Sequence, residues 1–69
     1  MIRVWQIDAG GYVAGYGSRE IVVDTGCTKP VWSSRHRAWC VAPHRLADVL
    51  ALAEHRGRRV AWLGVRDAA

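Results

Sequence analysis

Residues 29–46, KPVWSSRHRAWCVAPHRL, contain two tryptophans seven positions apart with the basic run Arg35-His36-Arg37 between them. If the chain reverses in a two-residue loop at Arg35-His36, Trp32 lies directly opposite Trp39 on adjacent antiparallel strands. Such cross-strand aromatic pairs stabilise a sheet by about 0.2–1 kcal/mol. The spacing therefore predicts a β-hairpin with both indoles in the core. The alternative use of the two rings is to stack nucleic-acid bases.

A helix and a strand are predicted after the hairpin. Residues 43–56 begin with Pro43, which suits a first helical turn, and Gly57 is a typical stop. The apolar residues recur at i, i+3, i+4 and i+7 and form one stripe: Leu46, Val49, Leu50 and Ala53. We expect this stripe to cover the sheet at the tryptophan pair. Residues 58–65, RRVAWLGV, read as the last strand.

Three further strands are predicted ahead of the hairpin, because short runs rich in β-branched and aromatic residues alternate with glycine-containing turns. Their ranges are 2–8, 12–16 and 19–24, and a loop over 25–30 follows. We expect a single small α+β domain over residues 1–69. Its sheet is mostly antiparallel with one α-helix packed on one face, and the order is N-terminal strands, then hairpin, helix and strand. Residues 66–69 are expected to fray.

Composition indicates the source and the cellular compartment of this chain. Its 69 residues carry a formal charge of +4, and nine of its ten Lys and Arg residues are Arg. Codon bias in a GC-rich genome explains much of that ratio and indicates a high-GC bacterium or one of its phages. Two cysteines make no disulfide framework, and no signal peptide or membrane-spanning run is evident. We expect a cytoplasmic protein that does not contact membranes.

The second half of the chain resembles the HARP domain, the short module beside the motor of annealing helicases. Trp32, the run Arg37-Ala38-Trp39 and Val41 match the hairpin pattern of that family, and the helix stripe matches its register. The family's Asp-Pro turn is replaced by Ser33-Ser34, and the proline after the second aromatic comes one position later. The resemblance covers about residues 29–63. It implies a hairpin–helix fold and an association with DNA.

No pattern for metal or catalysis stands out. Zinc ligands usually come in closely spaced pairs, whereas the candidate set is widely spread: Cys27, His36, Cys40 and His44. Pairings of a cysteine with a histidine arise by chance in a chain with two Cys and three His. The glycines between Gly10 and Gly17 suggest a phosphate loop, but no helix is predicted after them. We expect a non-enzymatic protein without metal or cofactor.

Two functional hypotheses remain. The first is a small nucleic-acid-binding accessory module, since arginine forks suit phosphates. Its candidate residues form a hairpin-tip group and a helix-end group: Arg35, His36 and Arg37, then Arg45, Arg56, Arg58 and Arg59. The alternative is a phage-encoded or accessory protein that binds and modulates a host protein. Leu52 lies off the helix stripe and suggests a second apolar patch for such a partner or for a homo-oligomer.

Overall fold

The computed structural model describes residues 1–27 and 29–66. Along the chain the elements are β1 (Ile2–Ile7), β2 (Gly10–Ala14), α1 (Ser18–Asp24), β3 (Val31–Ser33), β4 (Ala38–Val41), α2 (Leu46–His55) and β5 (Val60–Arg66). A 3₁₀ turn, Pro43–Arg45, leads into α2. This is the predicted α+β class, and the described residues form two α-helices instead of the one expected.

The five strands form one sheet in the order β3-β4-β2-β1-β5. Most neighbours are antiparallel, as predicted, but β1 and β5 are parallel, so the sheet is mixed. Strands β4 and β1 run in the same direction, because each is antiparallel to β2. Helix α2 then carries the chain from β4 to the far edge of the sheet. A crossover of this kind lets β5 run parallel to β1.

The third predicted strand is instead helix α1, so that prediction is wrong. Isoleucine and valine favour strands when judged by propensity alone. In the fold, Ser18, Ile21 and Val22 are all buried at positions i, i+3 and i+4, which is the spacing of a helix face. Gly17 precedes the helix with a φ of 80°, a left-handed conformation that glycine adopts without strain. Packing of this face therefore overrides the local strand preference.

The predicted hairpin is confirmed as β3 and β4, with Trp32 paired to Trp39 and Ser33 to Ala38. The two indoles meet edge to face with centroids 5.1 Å apart, a favourable aromatic geometry. The connecting turn spans residues 34–37 and is longer than the predicted two-residue loop. Trp39 packs against the core, whereas Trp32 is 50% exposed because β3 is an edge strand. The core interpretation thus holds for one of the two tryptophans.

The predicted stripe of α2 is confirmed as its inner face. Leu46, Val49 and Ala53 are buried and Leu50 is partly buried. Leu52, which lies off the stripe, is partly buried and also packs against the core. The main partners of the stripe are aliphatic side chains of the other elements, and Trp39 lies beside them. These partners are Ile2, Val4, Val13, Ile21, Val22 and Val41.

Both helices lie on the same face of the sheet. Helix α1 contacts β2 and β4, and α2 contacts β1 and β5. Gly11 identifies this face, because a methyl group added to it would come within 2.8 Å of Leu46 Cδ2. Val41 pairs with Gly11 and therefore points to the same side. The side chains that alternate with these residues belong to the opposite face.

The remaining strand predictions are confirmed with slightly different bounds. Strand β5 includes Arg66, so the expected frayed tail does not include this residue, and residues 67–69 of that tail lie outside the described residues. Thr28 of the predicted loop also lies outside them. Neither α1 nor α2 has the length and apolar composition that a bilayer crossing requires.

Candidate functional site

The helix-end group of predicted binding residues makes contacts within the protein. Arg45 Nη1 donates a hydrogen bond to the carbonyl oxygen of Thr25 at 3.1 Å. Arg56 Nη2 forms an ion pair with Asp24 Oδ2 at 2.5 Å. These two arginines therefore hold the end of α1 against the second helix. The fourth member of the group, Arg59, is exposed.

The third member, Arg58, lies against the glycine-containing loop ahead of α1. It donates a hydrogen bond to the carbonyl oxygen of Tyr16, and a methyl group on Gly17 would come within 2.6 Å of its guanidinium. A short helix does follow Gly17, contrary to the expectation from the sequence. Because the Arg58 guanidinium lies against Gly17 and the backbone of Met1 lies against Gly15, both glycines have a structural explanation.

The hairpin-tip group lies in the turn at residues 34–37, here called the hairpin tip. The His36 N–H donates to Ser33 Oγ at 3.3 Å, which helps to close the turn. Arg37 has a φ of 51°, an uncommon left-handed conformation for a residue with a side chain. Arg35 and Arg37 are exposed on either side of His36.

The sheet face opposite the helices, here called the open face, carries the side chains that alternate with the core residues. It includes Arg3, Trp5, Ile7, Tyr12, Cys40, Leu63 and Arg66. The neighbouring positions Ala14 and Ala38 are buried even though no helix covers them. The hairpin tip reaches the same face, because the ring of His36 meets that of Tyr12.

Three rings form a continuous row on the open face. Trp5 pairs with Tyr12 across β1 and β2, and their rings stack with centroids 5.9 Å apart and planes 23° apart. The ring of His36 lies 4.4 Å from that of Tyr12, tilted by 48°. The row therefore connects the middle of the sheet to the hairpin tip. All three rings are partly exposed.

A groove of about 370 Å³ lies beside this row. Its walls combine aromatic, aliphatic and guanidinium groups from Arg3, Trp5, Ile7, His36, Leu63 and Arg66. Small-molecule pockets of roughly 300–1,000 Å³ are common in proteins. None of these lining residues is acidic, so the groove suits an anionic ligand with a flat apolar part.

Charge is distributed unequally between the two sides of the protein. The described strands contain no acidic residue. Most of the carboxylates lie on the helices instead: Glu20 and Asp24 on α1, and Asp48 and Glu54 on α2. Within residues 1–27 and 29–66, the arginines of the open face and of the hairpin tip pair with no carboxylate. The strands therefore contribute basic but no acidic side chains to the open face.

The structure does not bring the candidate zinc ligands, Cys27, His36, Cys40 and His44, together at one site. Both cysteines are free thiols, and they line a second groove, of about 470 Å³, at the end of β4. His36 lies on the open face instead, and His44 is exposed in the 3₁₀ turn. Over the described part of the chain, no three His, Cys, Asp or Glu side chains are close enough together to hold a metal ion.

Sequence reasoning missed the residues at the centre of the open face. Arg3, Trp5, Tyr12 and Arg66 come from three strands that only the sheet brings together. A partial signal was present in β1, where Arg3 and Trp5 alternate with the apolar Ile2 and Val4. That alternation indicates a strand with one buried face and one more polar face.

Comparison with known proteins adds no relative: no protein-family model, curated protein or solved structure matches the chain. The similarity to the HARP domain stays a resemblance carried by the hairpin and helix positions.

Proposed function

We propose that this chain is a small, non-enzymatic nucleic-acid-binding module that binds through the open face and the hairpin tip. The observation that carries the proposal is the groove beside Trp5, which joins exposed arginines to an aromatic ring with no acidic residue among its lining residues. Arginine presents a planar fork that suits phosphate, and aromatic side chains suit bases.

The contacts of the other basic residues favour this surface over the helix end. Arg45, Arg56 and Arg58 already bond to groups of the protein itself. A phosphate at the helix end would have to compete with those bonds and would lie near the helix carboxylates. Arg35 and Arg37 are exposed and meet no such competition among the described residues.

The experiment compares two double variants that remove the same charge. Arg35→Gln with Arg37→Gln changes the hairpin tip, and Arg56→Gln with Arg59→Gln changes the helix end. Binding of labelled DNA and RNA is measured by fluorescence anisotropy at several salt concentrations. A plot of log K against log salt has a negative slope, and each lost phosphate contact makes that slope shallower by about 0.7–0.9. We expect the tip variant to lose affinity and about 1.5 units of slope, and the helix-end variant to bind like the parent.

Two outcomes would contradict the proposal. One is that the parent chain binds no nucleic acid at low salt. The other is that the helix-end variant loses as much affinity as the tip variant, since binding would then not depend on the proposed surface. Circular dichroism of each variant establishes that it is folded.

A second candidate function is docking on a host protein, and strand β5 favours it. This edge strand exposes Trp62 by 47%, Leu63 by 39% and Val65 by 69%. Exposed apolar edge strands are ready sites for pairing with another chain. A protein recovered from a high-GC bacterial lysate by the parent chain, but not by a Val65→Lys variant, would support this function. Such a result without nucleic-acid binding would replace the first proposal.

Two further points are consistent with the proposed module. The HARP domain that the second half resembles is associated with DNA, although Arg3, Trp5 and Tyr12 precede the resembling segment. Free thiols at Cys27 and Cys40 are typical of a reducing compartment. The proposal therefore includes a cytoplasmic setting.

A further inference from the structure

We infer that the open face takes single-stranded nucleic acid, with an unpaired base held in the groove against Trp5 and phosphates on the arginines at its two ends. This inference rests on the proposed function and specifies its substrate class.

The width of the sheet argues against a duplex. Neighbouring strands lie about 4.8 Å apart, so five strands span about 19 Å between the outer two. The major groove of B-form DNA is only about 12 Å wide and admits a helix or a two-stranded ribbon. A five-stranded face cannot enter it. The ring of Trp5 lies on β1, with a strand on either side, and so cannot reach base edges from within that groove.

The position of Trp5 suits an unpaired base. Tyr12 stacks on it from the β2 side, and Leu63 lies across the groove on the β5 side. One side of the indole is therefore occupied by Tyr12, and the other side borders the groove, which Leu63 closes on the β5 side. A base in a duplex has both its faces covered by its neighbours, whereas an unpaired base can place one face on a ring. Each such stack contributes about 1–3 kcal/mol.

The arginines of the groove flank this ring along the strand direction. Arg3 lies two residues before Trp5, and Arg66 is paired with Ile7, two residues after it. Four residues of strand cover about 13 Å. Arg3 and Arg66 thus lie at opposite ends of the groove, and the Trp5 indole lies midway between them. A single-stranded nucleic acid lying along β1 would meet an arginine on each side of the stacked base.

The test uses the full chain and a fluorescein-labelled strand of about 12 nucleotides, within the usual site size for such modules. Four ligands of the same length are compared at one salt concentration, and those that carry bases share one sequence. They are single-stranded DNA, single-stranded RNA, the DNA duplex, and single-stranded DNA in which abasic units replace the bases. We expect both intact single strands to bind more tightly than the duplex and the abasic strand. The two intact strands distinguish DNA from RNA as the preferred source of unpaired bases.

Variants of the protein test the same step independently. Trp5→Ala should weaken binding of the intact strand about 5- to 150-fold, the equivalent of one stack. Trp5→Phe keeps a ring and should retain most of the affinity. Trp62→Ala is the matched control, because Trp62 is exposed but pairs with the buried Val4 and so lies on the helix-covered face. It should bind like the parent.

The possible results separate the inference from the proposed function. Equal binding of duplex and single strand, or of abasic and intact strand, would overturn the inference while leaving salt-dependent binding through the hairpin tip intact. Unchanged affinity in Trp5→Ala would overturn it as well. If Trp5→Ala does not fold, the comparison of the abasic strand with the intact strand still decides. A chain that binds none of the four ligands loses both the proposed function and the inference.

Discussion

Substitution of Gly11 by alanine tests which face of the sheet the helices cover, and therefore which face is open. The added methyl group would lie 2.8 Å from Leu46 Cδ2 and 2.8 Å from the carbonyl oxygen of Val41. Favourable carbon–carbon contacts lie at about 3.5–4.0 Å, so the helix would have to move by roughly 1 Å. The Val41 oxygen belongs to the paired strand and cannot rotate away.

The cost follows from this overpacking. Extra methyl groups in a filled core typically destabilise by about 1–3 kcal/mol. For a domain of this size, a loss of about 2 kcal/mol lowers Tm by about 8–16 °C. Gly11 is not among the glycines with positive φ, so backbone strain adds nothing to this figure. Thermal unfolding followed by far-UV circular dichroism measures the change.

Gly10→Ala is the matched control, since it makes the same substitution one residue earlier on the same strand. Its methyl group would meet the end of the Tyr12 side chain at 3.1 Å, on the open face. That ring can shift into solvent, so we expect a change within about 0.5 kcal/mol. A Gly11→Ala protein as stable as the parent, or Gly10→Ala as the more damaging change, would refute the assignment of the two faces.

Two further substitutions test the packing around the sheet. In urea unfolding, Trp39→Ala should lower the free energy of unfolding more than Trp32→Ala. Both variants lose an aromatic contact worth about 0.5–1.5 kcal/mol, but only Trp39 packs against the core. Equal losses in the two variants would contradict this prediction. The exposed ion pair between Arg56 and Asp24 should contribute no more than about 1 kcal/mol and should weaken in high salt. A double-mutant cycle with alanine at both positions measures it, and a salt-independent coupling would show that the pair is not an exposed one.

Local patterns were sufficient for the second half of the fold. The spacing of Trp32 and Trp39 and the apolar stripe of the helix each depend on neighbours close in sequence, and both predictions hold. The same reasoning failed for α1. Ile21 and Val22 satisfy the preferences of a strand, and only the core beneath them makes a helix the better arrangement.

The candidate site shows the same division. The exposed arginines of the hairpin tip were recognisable from their position in a turn, but the contacts that occupy the helix-end arginines were not. The Arg56–Asp24 pair joins residues 32 positions apart, and Arg58 reaches Tyr16 across 42. No pattern in a single sequence relates residues at such separations.

By itself, the sequence determined the class of fold, the hairpin register and the α2 stripe, because side-chain periodicity reports which residues of one element share a face. The tertiary structure decided which face of the sheet is left uncovered. Trp5 and Tyr12 are neighbours through strand pairing, and His36 lies beside Tyr12 because the hairpin tip reaches the same face. Proximity between elements depends on how their faces pack together, and that information resides in the folded chain as a whole.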